Sequence, residues 1–197
     1  MKQLMRKLPL VCWYFDLVEY NDPTLERRNQ ERRQYMTRVA SIAKQVFCTD
    51  GDWALKNDLH WLPQGADERV VGIERRYDSD EPKILVTASK KGGTGRDAFF
   101  AEMERYQSSV RHVQRGLHGI QLRDAIAECD VVVAPSAPIT DHYWSNRVYN
   151  MLGFGAVLLH PFCTELGRHF RHQHDLWFYG DHRDMHAKLE CLLKMPY

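Results

Sequence analysis

Apolar and polar positions alternate along the chain with two different spacings, which predicts a regular succession of strands and helices. LPLVCWYFD predicts a strand at about 9–15, and QERRQYMTRVASIAKQ has apolar positions three and four residues apart, as a helix over 30–45 requires. Next come a predicted strand in QVFCT, a short helix in DGDWALKN after an acidic cap, and a strand in LHWLP. This βαβαβ order favours a parallel sheet.

The same alternation continues beyond a polar stretch at 68–82, which ends in a proline and predicts a boundary. Uninterrupted apolar runs in this part are typical of buried parallel strands. The strands are predicted in KILVTAS, VRHVQR, DVVVAP, AVLLH and DLWFY, and the helices in GRDAFFAEMERYQSS, QLRDAIAEC, SNRVYNMLG, TELGRHF and from Asp181 to about Leu193. We therefore expect an α/β fold with a doubly wound parallel sheet at 83–197, a linker at 68–82 and a small βαβαβ segment at 1–67.

Composition narrows the class of protein. The 197 residues are 44% hydrophobic, and 27 basic against 26 acidic residues give a net charge of +1, so no global field attracts nucleic acid or a membrane surface. No stretch approaches the ~18 apolar residues of a membrane span, and the basic start lacks a cleavage site. The five cysteines are odd in number and widely spaced. We expect a cytoplasmic protein with reduced thiols, no integral membrane segment and no nucleic-acid partner.

The loop SKKGGTGRD, at 89–97, has the features of a phosphate site. In doubly wound sheets, ligands bind beyond the carboxyl ends of the strands, where such loops enter helices. The glycines allow the backbone to approach a ligand, and Lys90, Lys91 and Arg96 add positive charge. We assign Lys91, Gly93 and Arg96 to anion binding, with a solvated, glycine-rich surface turn as the open alternative.

A second loop, RGLHG at 115–119, also follows a predicted strand. His118 and Gly119 stand where a nucleotide base or a sugar would bind. An exposed turn with a solvated histidine is the open alternative.

The loop APSAPITDHYWSNR, at 134–147, exceeds the usual two to six residues of a strand-to-helix connection, which indicates function. Ser145 is predicted to cap the following helix, with Asn146 and Arg147 directly after it. Asn150 lies four residues beyond Asn146 and so shares its helix face. Hydroxyl, amide and guanidinium groups would converge there on an anion the size of a phosphate.

The run from SNRVYNMLGFGAVLLH to KLECLLK, at 145–194, resembles the end of the CgeB-like, spore-maturation type glycosyltransferases. HWLPQGAD and LVCWYFD resemble segments of the N-terminal domain in the same enzymes. The spacing of Lys91 and Arg96 reproduces the Arg-x(4)-Lys pair that holds the donor diphosphate in broader GT-B enzymes, with the two cations exchanged.

This resemblance implies a GT-B enzyme: a Rossmann-like C-terminal domain that binds a GDP- or UDP-sugar, a sugar acceptor of unknown identity, and no cofactor or metal. The βαβαβ segment would then be a truncated N-terminal, acceptor-side domain. A homo-oligomer in which a second subunit completes this domain is an open alternative. Asn150 replaces the usual glutamate and His142 stands where a second glutamate is expected, so a carboxylate role at Asn150 is excluded. The expected donor-binding residues are Lys91, Gly93, Arg96, His118, Gly119, Ser145, Asn146, Arg147 and Asn150.

Catalysis would need a general base on the acceptor side if the reaction inverts the configuration at the anomeric carbon of the sugar. Asp16, at the end of the first predicted strand, is the main candidate for this base, and His60 and Asp67 are weaker candidates. The alternative for Asp16 is that it only caps a turn. His182 and His186 are four residues apart, a spacing at which two histidines can bind one metal ion. The sequence specifies no third or fourth ligand, so we expect no metal site there. The arginines at 27, 28, 32 and 33 fit an anionic acceptor or a salt-bridged helix face.

Two functions therefore stand: a glycosyltransferase, or a non-catalytic nucleotide-sugar-binding or assembly module.

Overall fold

The computed structural model describes residues 9–20, 23–66, 72, 81–88, 96–113, 117, 119–136 and 140–195. These residues divide into two compact units. The first unit contains the described residues up to Gln64 together with Thr140–Tyr143, and the second contains those of Gly65–Ile139 and Trp144–Tyr197. The predicted linker at 68–82 lies almost entirely outside the described residues, so the domain boundaries stay a prediction.

The first unit is a three-stranded parallel sheet with its helices on one face. Its strands β1 (Val11–Tyr14), β2 (Gln45–Cys48) and β3 (His60–Trp61) are hydrogen-bonded in the order β1-β2-β3. The helices are α1 (Glu26–Ala40), which follows a 3-10 turn at Pro23–Leu25, and α2 (Gly51–Lys56). Met36 and Val39 of α1 and Ala54 of α2 pack on Val46 and Cys48 of the central strand. The predicted βαβαβ order is confirmed.

Helix α1 was predicted over 30–45, which is wrong at both ends. It starts at Glu26 and ends at Ala40. The apolar spacing that extended the prediction includes Ile42, whose side chain is 56% exposed. The chain turns after Ala40 because Lys44 N–H donates to the Leu10 carbonyl (2.7 Å), which brings the next residues alongside β1 as strand β2.

The second unit is built on five parallel strands in the order β5-β4-β6-β7-β8. The strands are β4 (Ile84–Val86), β5 (Val110–Val113), β6 (Val131–Val133), β7 (Leu158–Pro161) and β8 (Trp177–Tyr179). The helices are α3 (Asp97–Met103), α4 (Ile120–Ala127), α5 (Arg147–Gly153), α6 (Thr164–His169) and α7 (His182–Leu193). The predicted helix at 95–109 is shorter than expected, because α3 tightens into a 3-10 turn at Glu104–Tyr106.

Burial explains the apolar runs of the central strands. Ile84 and Val86 contact one helical layer, and Leu85 between them is equally buried, so both faces of β4 are covered. The layer on the first face comes from α3 and α7 and consists of Phe99, Phe100, Met103, Met185, Leu189 and Leu192. The predicted α/β, Rossmann-like fold with a doubly wound parallel sheet is therefore confirmed.

Strand order locates the place where such a sheet binds ligands. β4 and β6 are neighbours, but the strands that follow them lie on opposite sides of the pair. The connections therefore leave in opposite directions, which opens a crevice beyond the carboxyl ends of β4 and β6. In the ranges described above, no helix has the length and apolar character that crossing a bilayer requires.

Candidate functional site

A crevice of about 270 Å³ lies at this carboxyl edge of the second unit. Arg96 and Phe99 line it from the start of α3, and Pro135 and Ser136 from the loop after β6. Tyr179–His182 line it from the end of β8, the following turn and the first residue of α7. Arg96 is the one predicted anion-binding residue of the loop 89–97 that the structure describes; Lys91 and Gly93, like His118, lie outside the described residues. The crevice is therefore where the strand order predicts a ligand.

Arg147 is held at the same edge by two acceptors. Its Nη1 donates to the carbonyl of Thr87, directly after β4, and its Nε donates to Ser145 Oγ at 3.2 Å. These two bonds fix the orientation of the guanidinium plane. A guanidinium fixed in this way is suited to a diphosphate, because its fork of donors matches the oxygens of a phosphate.

The predicted cap at Ser145 is wrong in its position. Asn146 is the residue at the cap of α5, and its helical dihedral angles leave its side chain without a capping bond. Ser145 still contacts the start of the helix: its carbonyl accepts from Val148 N–H (3.0 Å), and its Oγ accepts from Arg147 N–H at 3.4 Å. The same Oγ accepts from Arg147 Nε, while Asn150 lies half-buried one turn further along α5.

His160, at the carboxyl end of β7, was not predicted as a site residue. It is buried, and its Nδ1 donates to the carbonyl of Pro161 at 2.7 Å. Burial, together with the nearby charge of Arg147, lowers the pKa of His160 to about 4, although the hydrogen bond to Pro161 acts in the opposite direction. The ring is therefore neutral near pH 7. Its one signal in the sequence is a polar residue that ends the apolar run AVLLH.

Gly119 occupies the position before α4 with φ = 54°, a left-handed conformation that favours glycine. It is exposed, and a side chain there would meet no neighbouring atom within 4 Å. The structure explains the glycine by its backbone angle, and donor binding by Gly119 stays a prediction.

Asp16 lies in the first unit and is engaged by three groups. Arg32 Nη2 is 2.8 Å from its Oδ2, Leu17 N–H donates to its Oδ1 at 2.8 Å, and the Tyr20 hydroxyl donates to Oδ1 at 3.4 Å. These contacts fit the turn-capping alternative, and a catalytic role for Asp16 stays a prediction. His60 is exposed on β3, where its ring lies 5.2 Å from that of Phe47.

The arginines of α1 form the salt-bridged face that was the alternative to an anion site. Arg32 pairs with Asp16, and Arg33 pairs with Glu19 at 3.0 Å and with Glu26. Arg27 pairs with Glu31 at 3.2 Å, and Arg28 lies over the Tyr20 ring at 5.4 Å.

His186 is occupied by protein partners. Its Nε2 is 2.7 Å from Glu102 Oε2, and its Nδ1 is 3.0 Å from the Tyr106 hydroxyl. The neighbouring His182 lines the crevice instead. Within the described part of the chain, no group of three or more His, Cys, Asp or Glu side chains is arranged to hold a metal ion.

The first unit contains a further pair that sequence reasoning missed. Asp52 Oδ1 lies 2.7 Å from Nδ1 of His142, and Asp52 Oδ2 accepts from the His142 backbone N–H at 3.4 Å. Beside this pair, Asp50 caps α2 and accepts from Trp53 N–H (3.0 Å) and Val18 N–H (2.9 Å). Desolvation raises the pKa of Asp50.

Comparison with known proteins assigns the second unit to a family. Residues 75–196, more than half of the chain, match the family described as glycosyl transferase-like. The chain therefore belongs to the glycosyl transferase-like family. The matched stretch contains the whole five-stranded sheet, Arg96 and Arg147. No curated protein matches the chain significantly. Membership supports glycosyl transfer as the general activity, with a sugar donor and an acceptor.

Proposed function

We propose that the protein is a GT-B type glycosyltransferase whose second unit binds the diphosphate of a GDP- or UDP-sugar without a metal ion. The observation that carries this proposal is the fixed guanidinium of Arg147 at the carboxyl edge of β4. Family membership supplies the reaction class, and the crevice at the reversal of strand order supplies the location.

The charges at this edge suit the leaving group. When a nucleoside diphosphate departs from a sugar, negative charge develops on the phosphate oxygens, and preorganised cations stabilise that charge. Arg147 is preorganised by Ser145 and Thr87, and Arg96 lines the crevice at the carboxyl edge of the same sheet. The predicted Lys91 would add a third cation.

A binding module without catalysis is the second candidate function. The observation that favours it is Asn150, which supplies an amide where the resembling enzymes have a glutamate. An amide can hydrogen-bond to a hydroxyl of the ribose, but it supplies no charge.

Donor hydrolysis separates the two functions. Water replaces a missing acceptor slowly in a glycosyltransferase, so incubation with UDP- and GDP-sugars releases UDP or GDP, which anion-exchange chromatography quantifies. Release above the rate of a protein-free control supports the enzyme. Binding of a nucleotide sugar in a titration without any release supports the binding module, and the absence of both contradicts the two functions together.

A further inference from the structure

One face of the sheet in the first unit is not covered by the unit's own described helices. Both α1 and α2 pack on the face that contains Cys48. Side chains along a strand alternate between the two faces, so Phe47 points to the opposite face. Its register partner Trp13 and Val11, two residues earlier on β1, point the same way. We call this opposite side of the sheet the open face.

Aromatic side chains dominate the open face. Phe15 continues the alternation beyond β1, and its ring lies 4.5 Å from that of Trp13. On β3, His60 pairs in register with Phe47, and their rings are 5.2 Å apart. Leu62 follows His60 by two residues and points the same way. The open face therefore consists of Val11, Trp13, Phe15, Phe47, His60 and Leu62.

Four apolar side chains of the open face are strongly exposed: Val11 by 53%, Trp13 by 39%, Phe15 by 55% and Leu62 by 37%. Since a large aromatic side chain has about 150–250 Å² of surface, these fractions amount to roughly 400 Å². A patch of this size is comparable to the largest apolar patch of a typical monomer, which often has a function. Parallel sheets are, moreover, normally covered on both faces. The open face therefore has the properties of a docking surface.

Contact between the open faces of two copies would bury an area that suits a weak dimer. Together the two faces contribute roughly 800 Å² of apolar surface, and about 65% of a homodimer interface is apolar. The whole interface would then measure about 1,200 Å², which is the lower limit of the size that specific protein–protein interfaces have. We therefore expect a dissociation constant in the micromolar range.

The absence of fixed charge favours a second copy over a different partner. A two-fold dimer places the same surface of both copies against each other, so any charge in that surface would meet its own like. No aspartate, glutamate, lysine or arginine belongs to the open face, and its neighbour on β2, Gln45, is also uncharged. A different partner would be selected by complementary charge, which the open face does not offer.

The aromatic side chains at the centre of the open face are already ordered. Trp13 Nε1 donates to the Leu62 carbonyl at 3.3 Å, and Gln64 Nε2 donates to the Phe15 carbonyl at 2.7 Å. Less conformational freedom is then lost on association.

We propose that the open face is a homodimer interface, in which each copy covers the second side of the other's three-stranded sheet. This inference goes beyond the proposed function and does not depend on glycosyl transfer.

Sedimentation velocity of the full chain, from about 1 to about 200 µM, tests the proposal across the expected dissociation constant. The variants Val11→Lys and Phe15→Lys each place a positive charge in the open face. The matched control is Leu55→Lys, which changes an apolar side chain of α2 that is 60% exposed outside the open face. Circular dichroism verifies that each variant is folded.

We expect the mass of the unaltered protein to rise with concentration from 23.2 kDa towards twice that value. Val11→Lys and Phe15→Lys should each weaken dimerisation by about 10-fold or more, because two like charges meet across the two-fold axis. Leu55→Lys should dimerise like the unaltered protein.

Hydroxyl-radical footprinting of the unaltered protein gives a readout that needs no folded variant. Oxidation of Trp13 and Phe15 should fall as the concentration rises, while oxidation of Tyr35, which is 48% exposed on α1, should stay constant.

Three results overturn the proposal. The first is a monomer at every concentration, which shows that the open face is solvated or covered within its own chain. The second is a dimer that both Val11→Lys and Phe15→Lys leave unchanged, or that Leu55→Lys weakens equally. The third is a dimer in which the oxidation of Trp13 and Phe15 does not fall, because the copies then associate through another surface.

Discussion

A methyl group on Gly51 would lie 2.5 Å from Cβ of His142 and 2.7 Å from its carbonyl oxygen. The first residue of α2 therefore has no side chain because the loop with His142 occupies that space. The same close approach allows Gly51 N–H to bond the His142 carbonyl. A glycine in the sequence thus marks the point where a distant loop meets the helix that carries Asp52.

Gly51→Ala should therefore destabilise the protein although alanine favours helix formation. The added methyl displaces the loop at His142, and we expect the free energy of unfolding to fall by about 1–3 kcal/mol. Urea denaturation measures this change. Gly180→Ala is the control, because the atom nearest to its added methyl would be Asp184 Oδ2 at an ordinary 3.9 Å. Equal stability of both variants would contradict the close approach at Gly51.

Asp50→Ala tests the buried cap of α2. The substitution leaves the N–H groups of Trp53 and Val18 without their carboxylate acceptor, in a buried position. We expect a loss of about 2–4 kcal/mol in the free energy of unfolding. Asp181→Ala removes an exposed cap, whose carboxylate accepts from Asp184 N–H at 2.8 Å, and should lose only about 1 kcal/mol. Similar losses in both variants would contradict the distinction between buried and exposed caps.

The neutral, buried His160 predicts acid sensitivity. Its pKa is lowered by burial to about 4 in the folded chain, while an unfolded histidine titrates near pH 6.5. The unfolded state therefore binds the proton first, and stability is lost as the pH falls from about 6.5 to about 4, by about 3 kcal/mol in total.

Denaturation at a series of pH values measures this loss. In His160→Asn, whose amide can still donate to Pro161, the slope of unfolding free energy against pH should flatten between pH 6.5 and 4. His60→Asn, at an exposed position, should keep the slope of the unaltered protein. An unchanged slope in His160→Asn would show that this histidine does not titrate as described.

Arg147→Ala tests the anion contact at the carboxyl edge of the sheet. Loss of a charge-assisted contact to the diphosphate should weaken nucleotide binding by about 1.5–3 kcal/mol. Calorimetric titration of the nucleotide measures the affinity. The control is Arg171→Ala, which removes an exposed arginine paired with Asp175 at 3.3 Å and should leave the affinity unchanged. Equal affinity of a folded Arg147→Ala variant would remove this residue from the site.

The sequence predicts the strands and helices well because burial on both faces produces recognisable apolar runs. Ile84–Val86 and Val131–Val133 show this directly. The sequence also predicts the helix cap at the start of α2: an acidic cap is expected there, and Asp50 is that cap in the structure. The end of α1 was missed because the spacing continues to Ile42, although the backbone turns to form β2.

The site was predicted in part. Ser145 and Arg147 are neighbours in sequence, so their proximity follows from local structure, whereas the contact of Arg147 with Thr87 spans 60 residues. Asp52 and His142 are 90 residues apart, and no periodicity or motif joins them. Such pairs depend on how the chain folds back on itself, which one sequence does not specify.

The most direct test of the proposed function is calorimetric titration of UDP and GDP into the purified protein, with and without EDTA. We expect one of the two nucleotides to bind with about micromolar affinity, and EDTA to leave that affinity unchanged. Absence of binding by both nucleotides would contradict a donor site at Arg147, and binding that EDTA abolishes would contradict its independence of metal.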